Sequence, residues 1–395
     1  MARNLFRRES PLSLLLKIPF TQPDFGSAEI EAVTRALTER ATVGNGPACQ
    51  RVEKRLREVC GSPNVVMTPN ATQAMEVALI MMGVGSGDEV IMPSFAFVSM
   101  ANAILSSGAR PVFCEVDPHT LNMDPADAEA RITERTKMIM PVHYAGIGCD
   151  MDALVALCEK RDLYLFEDAA QAFGSTWRGR QLGTLGHAGC FSFHETKNIT
   201  SGGEGGALMV RDSDLFRRAE IIHEKGTNRS AFLRGEVDKY TWVDRGGSYV
   251  LSDLLAVVLE VQLARAAEVT ERRLQIWNRY FDAFAEAEAD GFANRPAVPE
   301  PCEHNAHIFF MVLRDPELQG GLLTHLRSQG IQATFHFQPL HASPYARENL
   351  GTGSQELAIT DRAASCILRL PLHAGMDDDQ VALVIDEVLS FFQGA

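Results

Sequence analysis

The chain has 395 residues, 46% hydrophobic and 22% charged, a balance typical of a soluble globular protein with two or three domains. Its 51 acidic residues outnumber 37 lysines and arginines, so the net charge is −14. This acidic balance argues against a nucleic-acid binder, which needs a basic face, and against docking on an anionic membrane surface.

Cysteine usage predicts a cytoplasmic protein. The eight cysteines form no C-x-x-C pair and lie mostly in apolar stretches, as small core residues do. No zinc-type spacing occurs, since His304 and His307 have no partner pair, so we expect no metal site. No apolar run approaches the ~18 residues of a membrane-spanning helix. Residues 1–17, which are basic and contain Pro11, predict a disordered N-terminal extension rather than a signal peptide.

Between residues 60 and 215, short apolar runs alternate with amphipathic helical segments. The runs predict strands at 65–67, 90–92, 111–116, 138–142, 163–166, 189–193 and 207–210. The helical segments are 72–82, 97–105, 125–132, 151–160 and 213–223. The runs are apolar throughout, which is typical of strands covered on both faces. This alternation predicts a doubly wound α/β lobe with a mainly parallel sheet.

The pattern changes in the last third of the chain. Residues 252–284 predict one or two long helices. Beyond them, the pattern predicts a strand at 308–313, a helix at 318–329, a strand at 332–337 and a closing helix at 380–392. We therefore expect an N-terminal extension (1–17), a large domain (18–265) and a small α+β C-terminal domain (266–395).

The first strand of the lobe leads directly into a helix. Open α/β sheets bind ligands beyond the carboxyl ends of their strands, so the residues at this junction are candidates for binding. The strand at 65–67 runs through Thr68 and Asn70 to Thr72. Free N–H groups at a helix start, together with a threonine hydroxyl, suit a phosphate, although capping by Asn70 or Thr72 explains the same residues.

Two further strand ends carry an acid and an aromatic. Glu167 and Asp168 end the strand at 163–166, and Gln171 follows about one helical turn later. A buried carboxylate needs a partner, which could be a cationic ring nitrogen of a cofactor, a salt bridge or a helix cap. Phe97 follows the strand at 90–92, where it could stack on a flat ring or belong to the core.

Lysine is scarce, with seven residues against 30 arginines, and Lys197 has an unusual setting. It follows an apolar strand and precedes the glycine-rich stretch 202–206, although an exposed loop lysine would read the same way. A partly desolvated lysine can act as an amine nucleophile or base. A phosphate cradle, a strand-end acid, an aromatic and this lysine together match pyridoxal 5′-phosphate (PLP), whose aldehyde a lysine holds and whose ring nitrogen an acid keeps protonated.

Four stretches carry a resemblance to a known family. They are G-D-E-V-I-M-P-S-F-A-F-V (87–98), P-V-H-Y-A-G (141–146), E-D-A-A-Q-A (167–172) and C-F-S-F-H-E-T-K-N-I-T-S-G-G-E-G-G (190–206). From residue 18 to about 372, the chain resembles the DegT/DnrJ/EryC1/StrS family of PLP-dependent nucleotide-sugar aminotransferases. The resemblance implies an α/β, fold-type I aminotransferase, whose large lobe has a mainly parallel seven-stranded sheet. It also implies a homodimer with shared active sites.

The resemblance implies a role for each matching residue. Lys197 would hold the cofactor and move the proton, and Asp168 would pair with the pyridine nitrogen, with pyridoxamine 5′-phosphate as the intermediate form. Further cofactor contacts would come from Ala71, Thr72 and Ser192 at the phosphate, Gln171 at the ring hydroxyl and Phe97 on the ring face. Ser248 stands where many members have an asparagine that reaches the phosphate of the partner subunit, so the chain departs from the family pattern there.

A finer resemblance concerns the substrate. The stretches 193–198, 224–230, 237–242 and 248–253 resemble members that make dTDP-4-amino-4,6-dideoxygalactose. They imply transamination of a dTDP-4-keto-6-deoxyhexose at C4 with L-glutamate, giving the galacto product or its gluco epimer. His336 and His341 resemble residues of the sugar-nucleotide cleft, although either could serve packing alone. Since all the ligands are anions, the cleft must be locally positive, and Arg229, Lys239 and Arg245 are candidate cations.

Three other functions are weighed against this one. PLP-dependent sugar dehydratases resemble this chain but carry histidine at the lysine position, and Lys197 argues against that activity. A non-catalytic PLP-binding regulator would keep the cofactor residues without amine transfer. A nicotinamide oxidoreductase is disfavoured because no G-x-G-x-x-G joins a strand to a helix.

Overall fold

A computed structural model describes residues 17–394 of the chain. The N-terminal extension predicted at 1–17 lies outside the described residues, apart from Lys17. Within residues 17–394, no helix combines the length and the apolar character needed to cross a bilayer.

The strands are short, and most of the longer ones belong to the central sheet. They are β1 (Asn64–Thr68), β2 (Glu89–Pro93), β3 (Arg110–Cys114), β4 (Thr136–Ile139), β5 (Tyr164–Asp168), β6 (Thr176–Trp177), β7 (Arg180–Gln181), β8 (Ala188–Ser192), β9 (Gly206–Val210), β10 (Ala293–Asn294), β11 (Cys302–Glu303), β12 (Phe309–Leu313) and β13 (Ile367–Leu370).

The helices pack around these strands and connect them. They are α1 (Ser27–Thr38), α2 (Pro47–Cys60), α3 (Ala71–Met81), α4 (Val98–Ser107), α5 (Pro125–Ala130), α6 (Met151–Arg161), α7 (Ser213–His223), α8 (Arg229–Leu233), α9 (Asp253–Ala264), α10 (Ala266–Ala283), α11 (Ala285–Ala289), α12 (Pro316–Ser328), α13 (Pro344–Asn349), α14 (Ala358–Cys366) and α15 (Asp378–Gln393).

The central sheet has seven strands in the order β1-β9-β8-β5-β4-β2-β3. All neighbours are parallel except β9, which runs antiparallel to both β1 and β8. Val65 and Met67 pack into one apolar cluster and Val66 into another, so the sheet separates two cores. Burial on both faces explains the uninterrupted apolar runs, each of which overlaps one strand. The predicted α/β class with a mainly parallel seven-stranded sheet is confirmed.

A second lobe follows the helix break at Arg265, between α9 and α10. Its antiparallel sheet has the order β10-β12-β13 and packs against apolar side chains of α10, α12 and α15. Ile18 bridges to Ile331 and belongs to the same cluster, so the described chain starts at the edge of this lobe rather than in the large one. We propose that the small domain begins at the break after Arg265.

One predicted strand of the small lobe is wrong. Residues 332–337 form no strand, because only Thr334 pairs with the sheet, in a single bridge to Arg369, before the chain turns along the cavity described below. The strand beside β12 is β13 instead. Arg369 interrupts its four residues, so this strand does not form an apolar run in the sequence.

Candidate active site

A cavity of about 680 Å³ lies at the carboxyl ends of the central strands. It is lined by residues at or after the ends of β1, β2, β4, β5 and β8. On the small-lobe side it is lined by residues 334–338 and by His307 and Ile308, just before β12. Seven of the predicted cofactor residues line it together: Ala71, Thr72, Phe97, Asp168, Gln171, Ser192 and Lys197. This position is where an open α/β sheet binds ligands.

The start of α3 offers unpaired donors to the cavity. Asn70 does cap the helix, since its Oδ1 accepts the N–H of Gln73 at 2.9 Å. Within residues 17–394, the backbone N–H groups of Ala71 and Thr72 have no hydrogen-bond partner. Together with the hydroxyls of Thr72 and Ser192 and the positive end of the helix dipole, they suit a phosphate group.

Gly206, the first residue of β9, lets the sheet approach this helix start. A Cβ atom at Gly206 would collide with the carbonyl carbon of Asn70 and the amide nitrogen of Ala71. Both atoms belong to the backbone, so no side-chain rotation can relieve the contact. The glycine therefore sets the position of the phosphate-binding N–H groups.

Gly206→Ala is expected to weaken PLP binding by about tenfold or more, since overpacking of this kind costs about 1–3 kcal/mol. A fluorescence titration of the apo protein with PLP measures the change in Kd. The control is Gly320→Ala on α12, where an added Cβ atom would meet nothing within 4 Å beyond its own helix backbone and chain neighbours, and this variant should bind PLP as the wild type does. An unchanged Kd for Gly206→Ala would contradict the cradle.

Glu167 and Asp168 are adjacent carboxylates with opposite environments. Glu167 is fully buried and accepts the N–H groups of Gly183 at 2.8 Å, Leu185 at 2.6 Å and Gly186 at 2.7 Å. His143 Nε2 lies 2.9 Å from the same carboxylate, and its Nδ1 accepts the N–H of Cys149, so Nε2 is the donor. The hydrogen-bonding needs of the Glu167 carboxylate are therefore met inside the protein.

Asp168 lies on the other side of the strand and lines the cavity. It is only 7% exposed, and within residues 17–394 its one backbone donor is the N–H of Ala170 at 3.0 Å, with the Cys190 thiol 3.8 Å away. Burial raises the pKa of Asp168, while the Ala170 N–H and the charge of Lys197 act in the opposite direction. A buried carboxylate with so few donors suits a cationic partner from a ligand.

Lys197 lies on the loop between β8 and β9 and opens on the same cavity. Enclosure by protein lowers the pKa of Lys197 below its ordinary value, and the charge of Asp168 opposes that shift. Within the described chain, Lys197 forms no salt bridge. A lysine in this setting is neutral over a wider pH range, so its amine can attack a carbonyl or accept a proton.

Gln171 and Phe97 complete the predicted set. Gln171 Oε1 accepts the N–H of Ala145 at 2.8 Å, and its Nε2 group has no partner among residues 17–394. Phe97 is 60% exposed and borders the cavity, with its ring centroid 6.2 Å from that of Phe337. A free helix start, an under-paired acid, an amine of lowered pKa and an open aromatic face thus fit PLP.

Five of the predicted residues lie outside this cavity: Ser248, Arg229, Lys239, Arg245 and His341. Ser248 is exposed beside Glu224, and Arg229 pairs with Glu224 at 3.4 Å. His341 is buried, with Nδ1 2.7 Å from the hydroxyl of Ser94, which agrees with the packing alternative, and its role in the sugar-nucleotide cleft stays a prediction. His336 does line the cavity, with Nδ1 2.6 Å from the Tyr144 hydroxyl.

Two arginines that sequence reasoning missed also line the cavity. Arg369 donates from Nε and Nη2 to the carbonyl of Phe335 at 3.2 and 3.1 Å, and its guanidinium lies 4.7 Å from the Phe20 ring centroid. Arg273 is buried on α10, where burial lowers its pKa to about 9. Neither forms a salt bridge within residues 17–394, so both give the cavity positive charge. In the sequence, Arg273 stands on the apolar face of a helix, beside Val269 and Ile276. This unusual position could have identified it as a functional residue.

The chain is similar to known proteins. The sequence profile of the DegT/DnrJ/EryC1/StrS aminotransferase family matches residues 23–389. The chain is 34% identical over 387 residues to the spore coat polysaccharide biosynthesis protein SpsC of Bacillus subtilis, covering 96% of this chain and 98% of SpsC.

Solved structures show the same similarity. The aminotransferase TlmJ of Streptoalloteichus hindustanus superimposes with a TM-score of 0.86 at 32% identity, over 95% of this chain and 99% of TlmJ. Spr1654 of Streptococcus pneumoniae, which is named as a sugar aminotransferase and was solved in its PMP form, gives 0.87 at 29% identity, over 95% and 98% of the two chains. Spr1654 was also solved in its PLP form.

Proposed function

We propose that this chain, which belongs to the DegT/DnrJ/EryC1/StrS aminotransferase family, transfers the amino group of L-glutamate to C4 of a dTDP-4-keto-6-deoxyhexose. It is a PLP-dependent sugar aminotransferase, an enzyme that transfers nitrogenous groups. The observation that carries the proposal is that Lys197, Asp168 and the free start of α3 border one cavity.

Residues that line the cavity would hold the cofactor in a defined way. The N–H groups of Ala71 and Thr72 and the hydroxyl of Ser192 would hold the phosphate, and Phe97 would cover a face of the ring. Asp168 would pair with the ring nitrogen and keep its proton in place. When bound, PLP supplies a ring that accepts the electron pair left when a proton leaves the carbon beside the substrate's amine.

Lys197 has two tasks in this proposal. Its amine would hold the cofactor's aldehyde between turnovers, and the free amine would take the proton from the donor's α carbon as a base. The lowered pKa of Lys197 favours the neutral amine that this step requires.

Several observations support a nucleotide-sugar substrate. The cavity is large enough for a ligand beside the cofactor, and Arg273 and Arg369 give it the positive charge that an anionic substrate needs in a protein of net charge −14. SpsC is named for polysaccharide biosynthesis, a process that consumes activated sugars. The dTDP group and the galacto configuration rest on the stretches 193–198, 224–230, 237–242 and 248–253.

A homodimer in the cytoplasm is part of the proposal. All eight cysteines are free and buried, which suits a reducing compartment. Trp242 is 79% exposed and Leu233 66%, and Phe232, Tyr240 and Val243 are exposed in the same segment. Exposed apolar side chains in such number mark an interaction surface, and a second copy there would bring Ser248, Arg229 or Lys239 toward its partner's cavity.

Purified enzyme with PLP, L-glutamate and dTDP-4-keto-6-deoxyglucose is expected to form one 2-oxoglutarate per amino sugar. The proton couplings at C4 of the product, measured by NMR, distinguish the axial amine of the galacto product from the equatorial amine of its gluco epimer. PLP binding without 2-oxoglutarate would indicate the regulator, and loss of water from the sugar without amine transfer would indicate the dehydratase.

A further inference from the structure

His307 lies just before β12 on the cavity wall, and the proposed function gives it no role so far. It is 8% exposed and opens on the same cavity as Lys197. Its backbone N–H donates to Asn305 Oδ1 at 3.0 Å, and its carbonyl accepts from the guanidinium of Arg273. These contacts fix the backbone from which the imidazole projects.

Asn198, the residue after Lys197, determines which ring nitrogen of His307 carries the proton. Asn198 Nδ2 donates to the carbonyl of Asn305 at 2.8 Å, so the atom 3.0 Å from His307 Nδ1 is the amide oxygen Oδ1. An amide oxygen can only accept, so His307 Nδ1 must be the donor. The neutral ring therefore has its free lone pair on Nε2.

This lone pair is available to the cavity. Nε2 of His307 has no hydrogen-bond partner among residues 17–394. The protein does not fully enclose this atom, so a group in the cavity can reach it. Since the imidazole lines the cavity, its accessible nitrogen faces the space that Lys197 also faces.

The groups around His307 keep its imidazole neutral, so that Nε2 remains a hydrogen-bond acceptor. The charged or titratable groups that face it are Lys197, Arg273, His336 and Arg369. Burial lowers the pKa of His307 well below its ordinary value, and these neighbouring positive charges act in the same direction. No carboxylate within residues 17–394 forms a salt bridge with it, so the ring stays neutral at physiological pH.

We propose that His307 is a positioning residue whose Nε2 accepts a hydrogen bond from the amine of Lys197 when that amine is free. The inference rests on the proposed function, in which this amine acts as a base. A neutral amine that donates one N–H to a fixed acceptor keeps its lone pair directed away from the acceptor, toward the proton it takes. The Asn198–His307 hydrogen bond couples the lysine loop to this acceptor.

His307→Leu and His307→Gln form the first test, since only glutamine retains an acceptor. We expect His307→Leu to lower kcat by about 10²-fold, as misplaced reacting groups do, with little change in the KM for glutamate. His307→Gln should recover a large part of that loss. The control is His325→Gln on α12, whose imidazole pairs with Glu387 on the far side of the small lobe, and its rate should not change.

Asn198→Asp is the second test, and its readout is a pH profile. A carboxylate beside the Nδ1–H group raises the pKa of His307, so the acceptor is lost at a higher pH than in the wild type. The acid limb of kcat/KM should then move toward neutral pH by about one unit or more. The double variant, which combines Asn198→Asp with His307→Gln, has no imidazole at position 307. The shift of the acid limb should therefore disappear in it. An acid limb that stays in place in Asn198→Asp overturns the proposal.

The third test needs neither cofactor nor turnover. In the apo protein, the pH midpoint for carbamylation of Lys197 by cyanate, read by mass spectrometry, reports the pKa of its amine. Removing an acceptor disfavours the ammonium, so His307→Leu should move the midpoint to lower pH than in the wild type or His307→Gln. An unmoved midpoint overturns the inference even if transamination is normal. If the carbamylation midpoint of His307→Leu shifts as expected but the enzyme forms no 2-oxoglutarate, only the proposed function is overturned.

Discussion

Replacing Lys197 by alanine is expected to abolish amine transfer, with a loss of about 10⁴-fold or more in the rate of 2-oxoglutarate formation. The variant loses the amine that holds the cofactor's aldehyde and, with it, the base that moves the proton. The free start of α3 and the carboxylate of Asp168 are unaffected, so PLP should still bind without a covalent link. Borohydride reduction followed by mass spectrometry should find the cofactor attached to the wild type and not to the variant.

The matched control is Lys160→Ala. Lys160 is a surface residue whose Nζ donates to Glu129 at 3.0 Å and whose side chain is 65% exposed. Its removal should leave both the rate and the covalent attachment unchanged. Substantial transamination by Lys197→Ala, or attachment of the cofactor to another lysine, would show that the base has been misassigned.

The sequence predicts the sheet and the cofactor end of the cavity well for a physical reason. Strands buried on both faces have no polar interruptions, so Val65, Val66 and Met67 read as one run even though they pack into different cores. The carboxyl ends of such strands meet at one edge of the sheet. Residues that follow them, such as Asp168 and Lys197, therefore come together without knowledge of the tertiary structure.

The small-lobe side of the cavity was much harder to predict. Arg369 reaches it from β13 and His307 from the segment just before β12. Both meet the large lobe only through tertiary packing, and no spacing in the sequence encodes that contact. The motif F-H-F-Q-P-L-H shows the same difficulty, since His336 borders the cavity while His341 packs against Ser94. Its backbone is irregular, so neither a period of 2 nor one of 3.6 distinguishes the two side chains.

Glu167 and Asp168 combine a feature that the sequence predicts with one that depends on tertiary packing. Successive side chains of a strand point to opposite faces, so one carboxylate enters a network inside the protein and the next enters the cavity. The sequence identified the pair as expensive to bury and left open which partner each would find. The backbone N–H groups of Gly183, Leu185 and Gly186 provide the partners for Glu167, whereas within residues 17–394 Asp168 accepts a single backbone N–H.

Asp168→Asn and Glu167→Gln are therefore expected to have opposite effects on the apo protein. The folded-state pKa of Asp168 is raised above its unfolded value, so this residue contributes stability only at low pH and loses it as pH rises through the raised pKa. Above the raised pKa the ionised side chain destabilises the apo fold, and Asp168→Asn should remove that penalty. The stability of the variant should also depend less on pH.

Glu167→Gln should instead destabilise the apo protein by about 3 kcal/mol or more, because three backbone N–H groups and His143 share the acceptor that it weakens. Urea unfolding of the apo variants at neutral and acidic pH measures both effects.

Enzyme activity provides a second test that distinguishes Asp168 from Glu167. With PLP bound, Asp168→Asn removes the charge that stabilises the protonated ring nitrogen, so amine transfer should fall by about 10²–10³-fold in a protein that folds at least as well as the wild type. PLP should also raise the melting temperature of Asp168→Asn less than that of the wild type, because the cationic ring no longer finds an anion. If Asp168→Asn destabilises the apo protein as strongly as Glu167→Gln, Asp168 serves the fold, and the cofactor's charge partner must be sought elsewhere in the cavity.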